Sequence, residues 1–433
     1  MRILHYGLGY PPNRSGGLVY YTIDLMTEQV NQGHKVGYLY PSKVRLFNKK
    51  VYIKKQRNKI KNVTSFELIN SLPLPLFGGI KTPTDFMKSV GEDVFLLFLN
   101  NFKPDVIHVH SLMGIHKEFF EVAKKLRIRM VFTSHDYFGL SPNPTFYFND
   151  ESWDQKNTLK FWLNVSDYAM KTKKLRLFQL SFYSTLKNFY KRFSKVHLNY
   201  KNDIKIKPTE TYPLSLRNSF EELREYYIDI FGLIDNFHFN STLAQGVFKR
   251  NLNKIELSGQ VIPVSNSSIL GGEKKINIDF GSIKKITYIG PYSQFKGFNV
   301  FLDLAKQFKN EDIEFEIYGE DVNIFLPENV TNKGRFFQAD RPKIFESIEL
   351  LIVPSLCKET FGFLVLEALS FGTPVLMSSN VGACDLLDSD MIFDSVANIV
   401  KKIRMRENIT FETYIYSMRE HALQIEKMYN LFF

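Results

Sequence analysis

Residues 358–382, KETFGFLVLEALSFGTPVLMSSNVG, place a glutamate on either side of an apolar, glycine-punctuated run. The residues before them, ELLIVPS (349–355), read as a short strand closed by Pro354-Ser355, with Glu359 in the loop that follows. Phe361–Ser370 reads as a helix stopped by Gly372-Thr373-Pro374, and PVLMSS (374–379) as another strand. Strand, helix and strand at this spacing form a parallel crossover unit. In such a sheet ligands lie outside the carboxyl ends of the strands, opposite helix N-termini. The free N–H groups of a helix start suit an anion such as a diphosphate. Thr360, Phe361, Gly362 and Phe363 are therefore expected to point donors into a cleft, with Gly362 permitting close approach. Glu367 lies inside the helix, where a carboxylate is costly unless paired or hydrogen-bonded. Two vicinal ribose hydroxyls would supply two donors; backbone groups or a lysine are the structural alternative.

The same alternation extends outward. RILHYGL (2–8), KVGYLYP (35–41), DVIHVHS (105–111) and RMVFTSH (129–135) read as strands, and GLVYYTIDLMTEQVNQG (17–33) as an amphipathic helix. FHFNSTLAQGVFKR (237–250) reads as a strand entering a helix, capped by Asn240 and Ser241. A second series follows a hinge at GQVIPVSNSS (259–268). It comprises strands at 284–290 and 313–319, helices at 296–308 and 341–348, and the opening unit. A last helix is expected over 409–432. FWLNVSDYAMKTKKLRLFQLSFYSTLKNFYKRF (161–193) fits this scheme poorly. It reads either as an interfacial amphipathic helix pair or as a cap packed on its own domain.

At 433 residues the chain is too long for one ordinary core, and its 44% apolar content describes a folded protein. No stretch reaches the ~18–20 apolar residues of a membrane span, and the chain opens directly on a strand. Cys357 and Cys384 are its two cysteines, which leaves no disulfide framework and no four-cysteine zinc site; a reducing cytoplasm is expected. The net charge of +11 is concentrated: residues 43–62 carry nine Lys or Arg and no acid, and 171–207 carry eleven against Asp203. Such segments suit an anionic membrane surface or a polyanion, while AT-rich codon drift is the bland explanation. Nucleic acid is disfavoured by the acidic remainder of the chain. GLGYPPNRSGG (7–17) lacks the Gly-x-Gly-x-x-Gly spacing of a nicotinamide-dependent dehydrogenase.

Taken together, strand, loop Glu, Phe-Gly, apolar helix with a second Glu, Gly-Thr-Pro and strand resemble the donor-binding signature of the retaining GT-B glycosyltransferases of family 4 (glycosyl transferases group 1). GLGYPPNRSGGLVYYTIDL resembles that family's first loop and helix, and KPDVIHVHS its fourth strand. VFTSHDYFGLSP resembles its histidine-containing acceptor-side loop, and YIGPYSQFKGFNVFLDLAKQF the opening of its second domain. The resemblance is weakest over 43–100 and 150–235. It implies an α/β GT-B fold, with two Rossmann-like, doubly wound domains facing across a cleft. The expected divisions are an acceptor-binding domain over 1–262 with a basic insert at about 150–215, a nucleotide-sugar domain over 263–408, and a C-terminal helix over 409–433 returning to the first domain.

Site residues follow from the resemblance position by position. Glu359 would face donor-sugar hydroxyls, and Phe361, Gly362 and Phe363 would give backbone contacts to sugar or phosphate. Glu367 would hold the ribose, and Lys296 would balance diphosphate charge in the departing group. Gly16 and Gly17 match the glycine pair at the first helix start, where backbone approaches phosphate. His135 matches the active-site histidine beside the reacting sugar; Asp136 and Tyr137 are acceptor candidates. For each there is a plainer reading, such as a helix-start lysine, a glycine turn or a structural histidine. His108 and His110 alternate along one strand and lack partners for a metal site. The family's arginine after Gly290 is replaced by Pro291, with Arg14, Arg335 and Arg341 as substitutes to consider. Ala383 and Asp385 stand where glycine and glutamate are usual.

The expected activity is retaining, metal-independent transfer of a sugar from a UDP- or GDP-linked donor, itself the substrate, with no separate cofactor. The acceptor is expected to be a glycan or lipid-linked glycan in bacterial surface-polysaccharide synthesis, at the inner face of the cell membrane. Two alternatives share the fold: a catalytically weakened protein supporting an active transferase, which Pro291 favours, and a sugar-nucleotide epimerase.

Overall fold

The structure, a computed structural model, describes residues 1–45, 47–75, 78–180, 211–321 and 324–431. The first sheet contains β1 (Arg2–Tyr6), β2 (Lys35–Pro41), β3 (Tyr52–Gln56), β4 (Val63–Ile69), β5 (Val106–Val109), β6 (Arg129–Thr133), β7 (Asn236–Phe239) and β8 (Gly259–Val261). Their order is β8-β7-β6-β5-β1-β2-β4-β3, parallel except for β3 at the edge. The polarity of the connections reverses between β1 and β5, where a doubly wound sheet opens a crevice. VIHV of β5 is buried at every position, as expected of a strand covered by helices on both faces.

The second sheet follows the same plan. After β9 (Gly272–Asp279) come β10 (Lys285–Ile289), β11 (Glu314–Tyr318), β12 (Val330–Gly334), β13 (Leu350–Val353), β14 (Val375–Ser378) and β15 (Ile392–Phe393). The order is β12-β11-β10-β13-β14-β15, all parallel. Its switch point lies between β10 and β13. The loops after those two strands carry Lys296 and Glu359. The molecule is therefore a two-sheet α/β structure of the expected GT-B class.

The expected helix over 409–432 is corrected. Asn408–Ile415 is a strand, β16, antiparallel to β9 over eight residue pairs from Gly272–Ile415 to Asp279–Asn408. Its side chains alternate, with Phe411 and Ile415 buried and Asn408, Thr410, Glu412 and Tyr414 exposed, the period of a strand. The helix begins at Met418, where Ser417 and Glu420 form a capping box. Its apolar face (Met418, Ala422, Ile425, Met428, Tyr429) joins a core that also contains Tyr21 and Leu25 of the first helix, Gly17–Asn31. Gly259–Val261, expected to open the hinge, instead pairs with β7 at the sheet edge.

The amphipathic segment also turns inward. In helix Leu159–Tyr168, Phe161, Trp162, Leu163 and Val165 are buried, and in Thr172–Phe178 Leu175 is buried. Arg176 donates to the Ser71 carbonyl at 2.6 Å. The part of 161–193 up to Leu180 thus packs most of its apolar residues on its own domain, with Tyr168 and Leu177 left exposed. The remainder, with most of the basic stretch 171–207, lies outside the described residues. Among the described residues no helix is long and apolar enough to cross a membrane.

Candidate active site between the two sheets

The loop after β13 is held in place before it reaches the cleft. Leu356 and Cys357 both donate backbone N–H to the Phe295 carbonyl, at 3.0 and 3.1 Å. Glu359 N donates to Asn380 O at 2.8 Å, Gly382 N to Glu359 O at 3.1 Å, and Ala383 N to Phe361 O at 2.7 Å. Gly297 makes the approach of the Lys296 turn possible: φ is 76°, and a Cβ there would lie 1.7 Å from the Pro354 carbonyl oxygen. This turn brings Lys296 Nζ to 2.9 Å from Glu359 Oε2. Burial pulls the Lys296 pKa down, but the Glu359 carboxylate more than offsets it, so the ammonium is retained.

These residues border a cavity of about 270 Å³. Gly17, His135, Asp136 and Asn240 close it from the first sheet's side, and Lys296, Lys358, Glu359, Thr360, Phe361, Gly362 and Phe363 from the second. Helix Phe363–Ser370 starts at its wall, with Gly362 at φ 107° as N-cap. Among the described residues, the N–H groups of Thr360, Phe361, Gly362 and Phe363 have no acceptor. Four unsatisfied donors and an ammonium form a site for negative charge. The volume falls just below the ~300–1,000 Å³ typical of drug-sized ligand sites.

The two lobes touch around this cavity. Thr360 Oγ1 donates to the His135 carbonyl at 2.9 Å, and Ser241 Oγ to the Thr360 carbonyl at 2.7 Å. Ser241 is the N-cap of helix Thr242–Asn251. Asp385 accepts from the Thr242 N–H at 2.7 Å and from its hydroxyl. Gly17 lies against Phe363, whose ring a Cβ would meet at 2.9 Å. In this conformation an aromatic side chain of the other lobe packs directly on the start of the first helix.

Of the residues expected at the site, Gly17, His135, Asp136, Lys296, Glu359, Phe361, Gly362 and Phe363 line one cavity. Gly16 adjoins it as the N-cap of the first helix, at φ 120°. Burial raises the Asp136 carboxyl to about 6, against a hydrogen bond from Phe138 N–H that favours the charged form. Tyr137 is absent from the cavity lining: its ring is buried beside Phe146 and Phe248, and its hydroxyl, without a hydrogen-bond partner, lies behind the wall within electrostatic reach of Glu359. Asn240, expected as a cap, instead lines the cavity, and Ser241 does the capping.

Glu367 is outside the cavity lining. Arg341 donates to its Oε1 at 2.8 Å, so the protein itself supplies the first partner of this carboxylate. Burial still raises its pKa, with Arg341 opposing. Oε2 has no hydrogen bond among the described residues. Of the other arginines considered for the position of Pro291, Arg335 sits 3.9 Å from Asp321 on an exposed surface. Arg14 has no ion-pair partner among the described residues. Asp385 contacts Thr242, so the departure from the usual glutamate acts at the lobe contact rather than in the cavity.

The view that His108 and His110 lack metal-site partners is also corrected. Both are fully buried, and His5 of the adjacent strand β1 joins them, with one ring nitrogen of each within 4.8 Å of the others. No spacing along the chain signals this.

Residues 15–197 match the model of Glycosyltransferase Family 4, and residues 283–405 that of Glycosyl transferases group 1. A relative from Klebsiella pneumoniae, described as an uncharacterized 42.6 kDa protein in the cps region, is 24% identical over 287 residues. That alignment covers 65% of this chain and 58% of the relative, so the chain spans less than two thirds of that protein's length. Sucrose-phosphate synthase from Thermosynechococcus elongatus superposes with a TM-score of 0.52 at 14% identity, over 100% of this chain and 98% of the other. The apo structure of OtsA gives 0.50 at 12% identity, over 100% and 95%. At these identities the two structures share the fold.

Proposed function

Because the chain belongs to the group 1, family 4 glycosyltransferases, we propose that it moves a hexose-type sugar from a nucleoside diphosphate to a glycan or lipid-linked glycan. The observation that carries this reading is the convergence of Lys296, Glu359, His135 and four free N–H groups on one cavity between the switch points of two sheets. The N–H groups of 360–363 and Lys296 would hold the diphosphate, Glu359 the sugar hydroxyls. The nucleoside would lie beyond the cavity, against Arg341 and the open oxygen of Glu367.

In the transfer step the bond from the anomeric carbon to the diphosphate oxygen breaks and its electron pair leaves with the diphosphate. The acceptor oxygen bonds to the anomeric carbon from the same face, which gives retention, and its proton passes to the departing phosphate oxygen. The protein's part is positioning and charge: Lys296 and the helix-start N–H groups gain most as negative charge builds. Asp136, raised to about 6 at the cavity wall, would orient an acceptor hydroxyl. A relative in a cps region supports surface polysaccharide as the product. The basic segments support an acceptor presented at an anionic membrane face.

The test is release of nucleoside diphosphate from a panel of UDP- and GDP-sugars, with and without lipid-linked acceptors, by wild type and Lys296→Ala. Acceptor-dependent release abolished by the substitution is expected. Binding without release by wild type would assign a supporting role, and isomerised sugar nucleotide without acceptor would assign an epimerase. Equal flotation on neutral and anionic liposomes, with acceptor present, would remove the membrane component.

A further inference from the structure

Six of the nine histidines, drawn from positions 5 to 421, are gathered in the interior beneath the cleft. Five belong to one continuous chain of hydrogen bonds. From the cavity inward, His135 Nε2 lies 3.3 Å from His110 Nδ1, and His110 Nε2 lies 2.9 Å from His5 Nδ1. His5 Nε2 is 2.7 Å from Gln29 Oε1, and Gln29 Nε2 is 3.2 Å from the Tyr429 hydroxyl. That hydroxyl is 2.5 Å from His108 Nδ1, and His108 Nε2 is 2.6 Å from Thr133 Oγ1. Thr133 Oγ1 is 2.9 Å from His238 Nδ1, and His238 Nε2 ends the chain at the Ile262 carbonyl, 2.7 Å away. Every member except His135 is essentially without solvent exposure.

The far end fixes the direction of the whole chain. A carbonyl only accepts, so His238 Nε2 carries the proton and its Nδ1 accepts from Thr133. The Thr133 oxygen then accepts from His108 Nε2–H, whose Nδ1 accepts from the Tyr429 hydroxyl. Tyr429 accepts from an amide N–H, which requires Gln29 to turn its NH₂ toward Tyr429 and its carbonyl toward His5, the orientation seen. His5 and His110 continue the same polarity, and His135 is left to donate from Nε2. This polarity holds for uncharged rings. Burial lowers His5 and His238 to about 4, and His108, His110 and His135 well below the usual histidine range.

We propose that this network is a positioning device that locks His135 as the Nε2–H tautomer and leaves Nδ1 as an unprotonated acceptor for a substrate hydroxyl in the cavity. It also couples that ring to the interlobe connection through Ile262 and to the C-terminal helix through Tyr429. A metal at His5, His108 and His110 is the competing use of the same rings. It would require each ring to release one of its two partners, Tyr429 or Thr133 for His108, His5 or His135 for His110, and His110 or Gln29 for His5, whereas the hydrogen-bonded arrangement satisfies them. The tautomer assignment stands on the network alone; the substrate hydroxyl rests on the transferase reading.

The experiment is long-range ¹H–¹⁵N NMR of histidine-labelled full-length protein, with His135 assigned by loss of its signals in His135→Gln. Wild type at neutral pH should show His135 protonated at Nε2 only. Thr133→Val and Tyr429→Phe, each removing one hydroxyl at nearly constant shape, should give His135 a mixture of tautomers with near-UV dichroism unchanged. Should Tyr429→Phe fail to fold, Thr133→Val decides. His135 protonated at Nδ1, a cationic ring, unchanged signals in Thr133→Val, or a stoichiometric metal in purified wild type would each overturn the proposal. Since no substrate is needed, these outcomes are separate from failure of the transferase reading. Where transfer is measured, Thr133→Val should lower kcat about fivefold with KM unchanged, the equivalent of one net hydrogen bond; a change in KM alone would remove the hydroxyl-acceptor role.

Discussion

The Arg341 guanidinium lies 2.8 Å from Oε1 of Glu367, so the carboxylate that interrupts an apolar helix is compensated by the protein before any ligand arrives. Arg341 is one-third exposed and the carboxylate 14% exposed, a pair at the edge of solvent. Such pairs contribute about 0–1 kcal/mol. Their function then rests on what the free oxygen can hold.

Glu367→Gln is expected to leave stability within about 1 kcal/mol of wild type and to weaken binding of nucleoside diphosphates about tenfold. The latter is the loss of charged hydrogen bonds worth roughly 1.5 kcal/mol. Calorimetric titration of UDP and GDP measures it, and unaltered affinity would reduce Glu367 to a structural ion-pair partner.

Lys296→Ala should separate diphosphate from monophosphate. The ammonium stays charged beside Glu359, so its removal should cost a nucleoside diphosphate about ten- to a hundredfold in affinity. The monophosphate should be scarcely affected. A parallel loss for both ligands would place Lys296 away from the outer phosphate.

Acid should unfold this protein early. His5, His116 and His238 have pKa values lowered to about 4 by burial, while in the unfolded chain they titrate near 6.5. Each therefore contributes stability that is complete above about pH 6.5 and is lost as pH falls toward 4, at roughly 1.4 kcal/mol per pH unit. Asp136, raised to about 6, works the other way and offsets about one histidine. Denaturation midpoints followed from pH 7 to pH 4 should fall steeply below pH 6.5; a flat profile would show that these rings are not buried neutral.

Asp385→Ala should loosen the lobes. Its carboxylate accepts from the first N–H of helix Thr242–Asn251 across the cleft, a capping interaction of about 1 kcal/mol. Solution X-ray scattering should show a larger radius of gyration for the ligand-free variant, with nucleoside diphosphate restoring the wild-type value. Identical curves without ligand would mean that the lobes stay closed through their other contacts.

Much of this was legible along the chain because it depends on neighbours a few residues apart. Period-two and period-3.6 apolar patterns, Gly372-Thr373-Pro374 and the spacing of Glu359 to the helix start determine where β13, β14 and the helix between them lie. Once these elements form, Phe361, Gly362 and Phe363 must face the carboxyl end of the sheet. The apolar residues of Asn408–Ile415 suit either period over a short run, and its partner strand, Gly272–Asp279, is far away in sequence, so the local pattern does not separate strand from helix there. The tertiary structure alone decided that Tyr137 turns into the core and that Arg341 reaches Glu367. It alone joined Asp385 to Thr242 and assembled histidines from both ends of the chain beneath the cleft. Those relationships depend on which surfaces meet when two lobes and a returning helix pack together, and no local steric preference or periodicity encodes such a meeting.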